Sequence, residues 1–296
     1  MIVKENVDLN SIIWIQSLSI SDSGTSRRIK EDLKPELKRL DFLFFDCEVN
    51  SKNEFYNIFQ IIKEKIDKVN LRPIIHIDMH ANEEYGLHID GSNEYVSWKE
   101  LFNELSTINK LTQNNLVVHL SVCFGLSMYK KISIDLPVPA YIFIASKEKI
   151  TFAFTEQTTT PFYLELIRSG EFNSAYESHL KGTMELINSQ RLFTVAVVSY
   201  VDTVLNNTEE TKKRATHLKN VLMIKSGIKY FETDKILALE GLILKELTPG
   251  QHIVDQFSKN FLCGRAPTIT YTEIDKLIKI SRLNNQSIDQ ILHRVE

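Results

Sequence analysis

The sequence predicts an α/β protein: a mostly parallel six-stranded sheet with helices on both faces, followed by a small helical C-terminal domain. Three observations predict it. Apolar runs of strand length alternate with stretches of helical spacing through the first 200 residues. Beyond Tyr200 the texture changes to a polar segment, 206–214, and then to signals that are mostly helical. Two of the apolar runs end in residues able to do covalent chemistry, His80 and Cys123. The carboxyl edge of a parallel sheet is where such folds keep their sites.

Residues 11–17, rich in Ile with Trp14, read as the first strand. A turn cluster at 19–25 contains Gly24, and 27–40 carries Ile29, Leu33, Leu37 and Leu40 at helical spacing. Pro35 inside that stretch predicts a late start or a kink. A second buried strand is expected at 40–46 and an amphipathic helix at 55–69. The third strand, 73–80, ends in His80. A small hairpin is expected around Asp90-Gly91. Ser97 and Glu100 have the spacing of a capping box for a helix from Trp98.

The fourth strand, 115–122, leads into Cys123, with a helix expected from Phe124. A fifth strand is expected at 140–145, then a helix opened by Pro161 and a longer helix at 173–187. The run 191–199 reads as the sixth strand. Five helical segments come after it, at 217–224, 233–247, 251–262, 272–283 and 287–295. The domains are therefore placed at 1–205 and 206–296. The last two segments have the layout of a helix-turn-helix unit or of two helices packed on each other.

Composition narrows the function classes. A formal charge of −3 gives no global pull toward nucleic acid or anionic membrane. No window approaches the ~20 apolar residues that span a bilayer, and the first residues lack a signal-peptide core. Three scattered cysteines, Cys47, Cys123 and Cys263, form neither a disulfide framework nor a metal motif. A reducing, cytoplasmic setting is expected. No cofactor or metal is called for.

His80 and Cys123 suit thiol chemistry. A free thiol ionises near 8.5, so a nearby imidazole is needed to make the thiolate at neutral pH. His76, Asp78 and His80 share one face of their strand; His119, Ser121 and Cys123 share one face of theirs. His76 and His119 sit inside the runs, as core histidines do, and His88 lies in the hairpin. Asp78 reads as structural. Cys47 ends a strand without a partner histidine, and Cys263 lies in the helical tail.

Strand, His80, glycine-containing hairpin, helix, then Leu-Val-Val-His-Leu-Ser-Val-Cys-Phe-Gly at 116–125 resembles the caspase-like cysteine peptidases, closest to their CHAT-domain subgroup. The resemblance covers roughly residues 12–201. It implies a thiol protease in which His80 is general acid–base and Cys123 is nucleophile. The backbone N–H groups of Ala81 and Cys123 would be the oxyanion donors. The family usually has Gly where this chain has Ala81. Arg27 and Arg28 loosely match the loop that holds an acidic substrate side chain in caspases, while Asp46 and Glu48 would instead favour a basic one. Relatives of this layout serve in bacterial antiviral defence or cell death. The resemblance therefore implies a protein or peptide substrate, and a regulatory protein partner acting through the C-terminal domain.

Three other readings compete. One is a catalytically silent caspase-like scaffold, fed by Ala81. A nucleotide-binding domain needs a glycine-rich phosphate loop, and Ser21-Asp-Ser-Gly24 does not supply one. A DNA-binding tail needs a basic face. Lys276, Lys279, Arg282 and Arg294 are offset by Glu273, Asp275, Asp289 and Glu296.

Overall fold

The computed structural model describes residues 2–3, 6–227 and 233–284. The chain divides into two compact units: Met1–Ser189 with Leu262–Gly264, and Gln190–Phe261 with Arg265–Glu296. The division falls before the 205/206 boundary read from the sequence.

In the first unit a two-residue ladder, β1 (Ile2–Val3) against β2 (Val7–Asp8), precedes β3 (Ser11–Ser17), α1 (Ser23–Arg39), β4 (Leu43–Glu48), α2 (Lys52–Val69) and β5 (Pro73–Met79). Then come β6 (Ala81–Asn82), β7 (Gly86–Ile89), β8 (Glu94–Val96), α3 (Trp98–Leu111) and β9 (Val117–Ser121). A 3-10 turn (Gly125–Lys131), β10 (Ile142–Ala145), α4 (Phe152–Ser169), α5 (Phe172–His179) and β11 (Glu185–Asn188) complete it. Six strands form one sheet in the order β11-β10-β9-β5-β3-β4. Every neighbouring pair is parallel except β10 with β11.

Side-chain alternation explains the two covered faces. Ile13, Ile15, Ile75, Ile77, Val118 and Leu120 bury against Phe55, Phe59 and Ile62 of α2 and Leu101 and Leu105 of α3. Ile12, Trp14, Ile74, Val117, Ile142 and Ile144 bury against Ile29 and Leu33 of α1 and Phe162, Tyr163 and Leu166 of α4. The central strands are buried along their whole length, as strands covered on both sides must be.

The helix starts obey local chemistry. Ser51 caps α2 through Glu54 N–H, and Ser97 with Glu100 forms the expected capping box at α3. The hairpin is present as β7 and β8, with β6 added on its outer side. Gly86 is required there. Its φ is +100°, and a Cβ would fall 2.1 Å from the Val96 carbonyl oxygen.

Four expectations are corrected. Residues 173–187 are not one helix: α5 stops at His179, Gly182 turns the chain at φ +92°, and β11 pairs with β10 as the antiparallel edge. Pairing with a sheet edge overrides helical spacing in so short a run. Residues 191–199 are helix, within α6 (Ser189–Tyr200). Burial at Gln190, Phe193, Thr194, Val197, Val198 and Val201 has helical period, and this packing outweighs the valines' strand preference. Pro161 lies inside α4, which begins nine residues earlier at Phe152, capped by Thr151. Finally, β4 is an exposed edge rather than a buried strand. Lys34 and Lys65 lay their ammonium groups over Phe44 and Phe45 there.

The second unit contains most of α6, a π-turn (Val201–Leu205), α7 (Thr208–Lys225), α8 (Thr233–Glu246), α9 (Gln251–Phe261) and α10 (Tyr271–Asn284). Phe193 packs on Phe261 and Tyr200 on Phe257. Gln190 holds the Ala266 carbonyl and the Thr268 N–H. The segment 287–295, and with it the second half of a helix-turn-helix, lies outside the described residues.

Candidate active site

β5 and β9 are direct neighbours, and Asp78 pairs with Ser121 in their register. His80 and Cys123 each stand two residues beyond that pair, on strands about 4.8 Å apart. Both line one cavity of about 70 Å³ at the carboxyl edge of the sheet. Asp78 and Ser121 also line it, with Leu18 from the β3–α1 loop and Thr151, Phe152 and Thr155 from the start of α4.

The hairpin fixes the backbone of His80. The His88 N–H donates to the His80 carbonyl at 2.8 Å, and the Asp90 N–H donates to Ser17 Oγ at 3.0 Å. Ala81 pairs with Leu87. The His88-to-His80 bond makes this a non-hydrogen-bonded pair, so the Ala81 N–H is left off the ladder. The imidazole is 45% exposed. Its Nε2 lies 3.1 Å from Asp22 Oδ2, and its ring packs T-shaped with the Phe152 ring. The bonds to His80 and Ser19 hold the Asp22 carboxyl below the usual carboxylate range.

Cys123 is half-buried. Its thiol faces the Ile150 carbonyl at 3.9 Å, and among the described residues no hydrogen bond joins it to His80. The next residue departs from expectation. Phe124 is left-handed, at φ 59°, and it opens into a 3-10 turn rather than an α-helix. The Phe124 N–H is taken by the Glu148 carbonyl at 3.1 Å. Gly125 is needed for close approach: a Cβ there would stand 2.9 Å from Ala145 Cβ.

Asp78 forms part of the cavity wall and is 5% exposed. Burial raises its carboxyl to about 6, against the opposing pull of Ser26, Lys30 and His80. Deeper along the same strands, His76 and His119 are fully buried. Burial lowers both: His76 well below its ordinary value and His119 to about 3. They are therefore neutral core groups. His119 Nε2 faces Met184 Sδ at 3.3 Å, an acceptor only, so that nitrogen carries the proton. Tyr163 Oη lies 3.2 Å from His119 Nδ1 and 2.9 Å from His76 Nδ1. Its hydroxyl donates to His119 while His76 donates to it. Of the polar atoms in this trio, His76 Nε2 is left without a partner.

The residues expected to contact substrate are placed elsewhere. Arg28 makes a two-pronged bond to Glu156 at 2.6 and 2.9 Å. Arg27 faces Glu31 along α1. Asp46 is bound by Lys30 and Lys34; burial would raise its carboxyl, but those two ammonium groups bring it down overall. Glu48 ends the edge strand. None of the four lines the cavity. Cys47 and Cys263 are separate from it too, and burial raises both thiols, Cys263 to about 12.

The structure adds Asp22, Phe152 and Thr155 to the site, three residues that sequence reasoning misses. Asp22 carries a helix-start signal, since it precedes Ser-Gly-Thr at the head of α1. Placing the α4 start at Pro161 hides Phe152 and Thr155. Among the described residues, no group of three or more His, Cys, Asp or Glu is arranged to hold a metal ion. No described helix is long and apolar enough to cross a membrane. Comparison with protein-family models and with curated proteins returns no match.

Proposed function

We propose that the protein is a caspase-like cysteine endopeptidase of CHAT type, in which Cys123 attacks a peptide carbonyl and His80 is the general acid–base. One observation carries this reading: two adjacent parallel strands, in register, deliver an imidazole and a thiol to the same cavity. His80 takes the thiol proton, the thiolate adds to the carbonyl, and the imidazolium returns the proton to the leaving amine. Water then attacks the acyl-enzyme with His80 as base. Attack requires Sγ to turn from the Ile150 carbonyl toward His80, a rotation about a single side-chain bond.

The Ala81 N–H, free of the hairpin ladder, is the first oxyanion donor in this reading, and the Cys123 N–H is the second. Replacing the family's Gly with Ala81 keeps the donor. The cavity is too small for a long side chain without opening. A partner-driven change in the α4 start or the β3–α1 loop is therefore part of the proposal. The helical second unit is its adaptor, and bacterial defence is its setting. A peptide-library digest of wild type and Cys123→Ala, with and without any co-purifying protein, tests it. Cleavage by wild type alone is expected; equal cleavage by both removes the protease reading.

The resting contact of the thiol with Ile150 favours a second reading, a silent scaffold that binds a peptide in the same cleft. Labelling of Cys123 by a peptidyl electrophile argues against that scaffold.

A further inference from the structure

Asp22 stands at the N-cap of α1, where an aspartate ordinarily accepts a bond from a backbone N–H two or three residues on. Its side chain makes no such bond. Oδ2 lies instead 3.1 Å from His80 Nε2 and accepts from Ser19 Oγ at 2.8 Å. The turn fixes it there, because the Asp22 N–H donates to the Ser19 carbonyl at 3.1 Å and Ser21 Oγ lies 3.5 Å from Oδ1. The helix forgoes its cap and the histidine gains a carboxylate.

We infer that Asp22 is a positioning residue that sets the tautomer of His80, leaving Nδ1 bare to receive the Cys123 proton. The inference rests on the cysteine-protease reading. A carboxylate only accepts, so Nε2 must carry the hydrogen, and in a neutral ring the lone pair is then on Nδ1. Among the described residues Nδ1 has no other partner. When the thiol ionises, the S–H bond breaks and an Nδ1–H bond forms. The product is thiolate and imidazolium, and Asp22 gains no proton. Its charge faces the new cation and favours it.

Other charges around the ring are spoken for. Arg28 and Glu156, from α1 and α4, bind each other. Lys30 binds Gln16 and Asp46. Asp78, two residues back on β5, shares the cavity wall but makes no direct bond to the ring among the described residues.

The test is the rate of Cys123 alkylation by iodoacetamide from pH 5 to 10 on the full-length protein, read peptide by peptide by mass spectrometry. The proteins are wild type, His80→Ala, Asp22→Ala, Asp22→Asn and Asp78→Asn. Wild type should show an inflection below the free-thiol value of about 8.5, and His80→Ala should move it up to that value. Both Asp22 variants should move it up by about one pH unit, lowering the rate near pH 6.5 roughly tenfold. Asp78→Asn, which removes a charge that makes no bond to the ring, should move it less than either Asp22 variant does. Asparagine keeps the size and shape of the side chain, so Asp22→Asn removes the charge alone. The 15N shifts of the His80 ring should show a bare Nδ1 in wild type and a mixture in Asp22→Ala. Wild-type profiles in both Asp22 variants, beside a shifted His80→Ala, overturn the role of Asp22, as does a shift produced by Asp78→Asn in their place. An unshifted His80→Ala overturns the dyad beneath it.

Discussion

Asp78 shows how one residue can work against stability at a site. Its carboxyl is buried beside Ser121 and Thr155, and burial raises it to about 6. A group with a raised acidic pKa binds protons more tightly in the folded state. Its cost is therefore absent at low pH and grows as pH climbs from about 4 to 6. Asp78→Asn should leave stability near pH 4 unchanged and raise it at pH 7.5 by about 1–3 kcal/mol, measured by urea unfolding. At His80 the expectation concerns rate. His80→Ala should reduce peptide cleavage by about 10²–10⁴-fold without a comparable loss of folding, measured as kcat/KM beside a thermal melt. Strand alternation makes both residues readable as members of one face. Asp22 is not readable as their partner, because it comes from a loop whose approach depends on where α1 begins.

At the scale of elements, the site depends on two close approaches. Gly125 lets the chain after Cys123 pass Ala145, with only 2.9 Å available to a Cβ. Gly125→Ala should destabilise by about 1–3 kcal/mol through overpacking, measured by chemical denaturation. Gly86→Ala should cost at least about 2 kcal/mol, because it meets both a left-handed φ and the Val96 carbonyl. It should also impair cleavage, since the hairpin holds the His80 backbone. The central strands and the capping box at Ser97 are legible because buried runs and cap spacing are local signals. The edge is not. Residues 185–188 join the sheet only because β10 offers a free side, and 191–199 turn helical because Phe193 finds Phe261. Both depend on partners distant in sequence.

Across the whole molecule, the buried pair His76 and His119 should dominate acid sensitivity. Both are neutral when folded and free to protonate when unfolded. A histidine with a depressed folded pKa contributes no penalty above about 6.5 and a growing one below it. Stability should fall by about 2 kcal/mol between pH 6.5 and 5.5, measured by urea unfolding in the Asp78→Asn background, which removes the opposing trend. The α/β class is legible from alternation alone, and so is the pairing of a histidine-ended strand with a cysteine-ended one. The division at 189/190 is not, since the polar stretch at 206–214 belongs to the start of α7.

The most direct measurement is a crystal structure of the protein trapped with a peptidyl electrophile. The expected result is a carbon–sulfur bond at Cys123, with Sγ turned away from Ile150, His80 Nδ1 within hydrogen-bond distance of the trapped group and its oxygen on the Ala81 N–H. An adduct on Cys47 or Cys263, or one on Cys123 with the His80 ring turned out of the cavity, would contradict it.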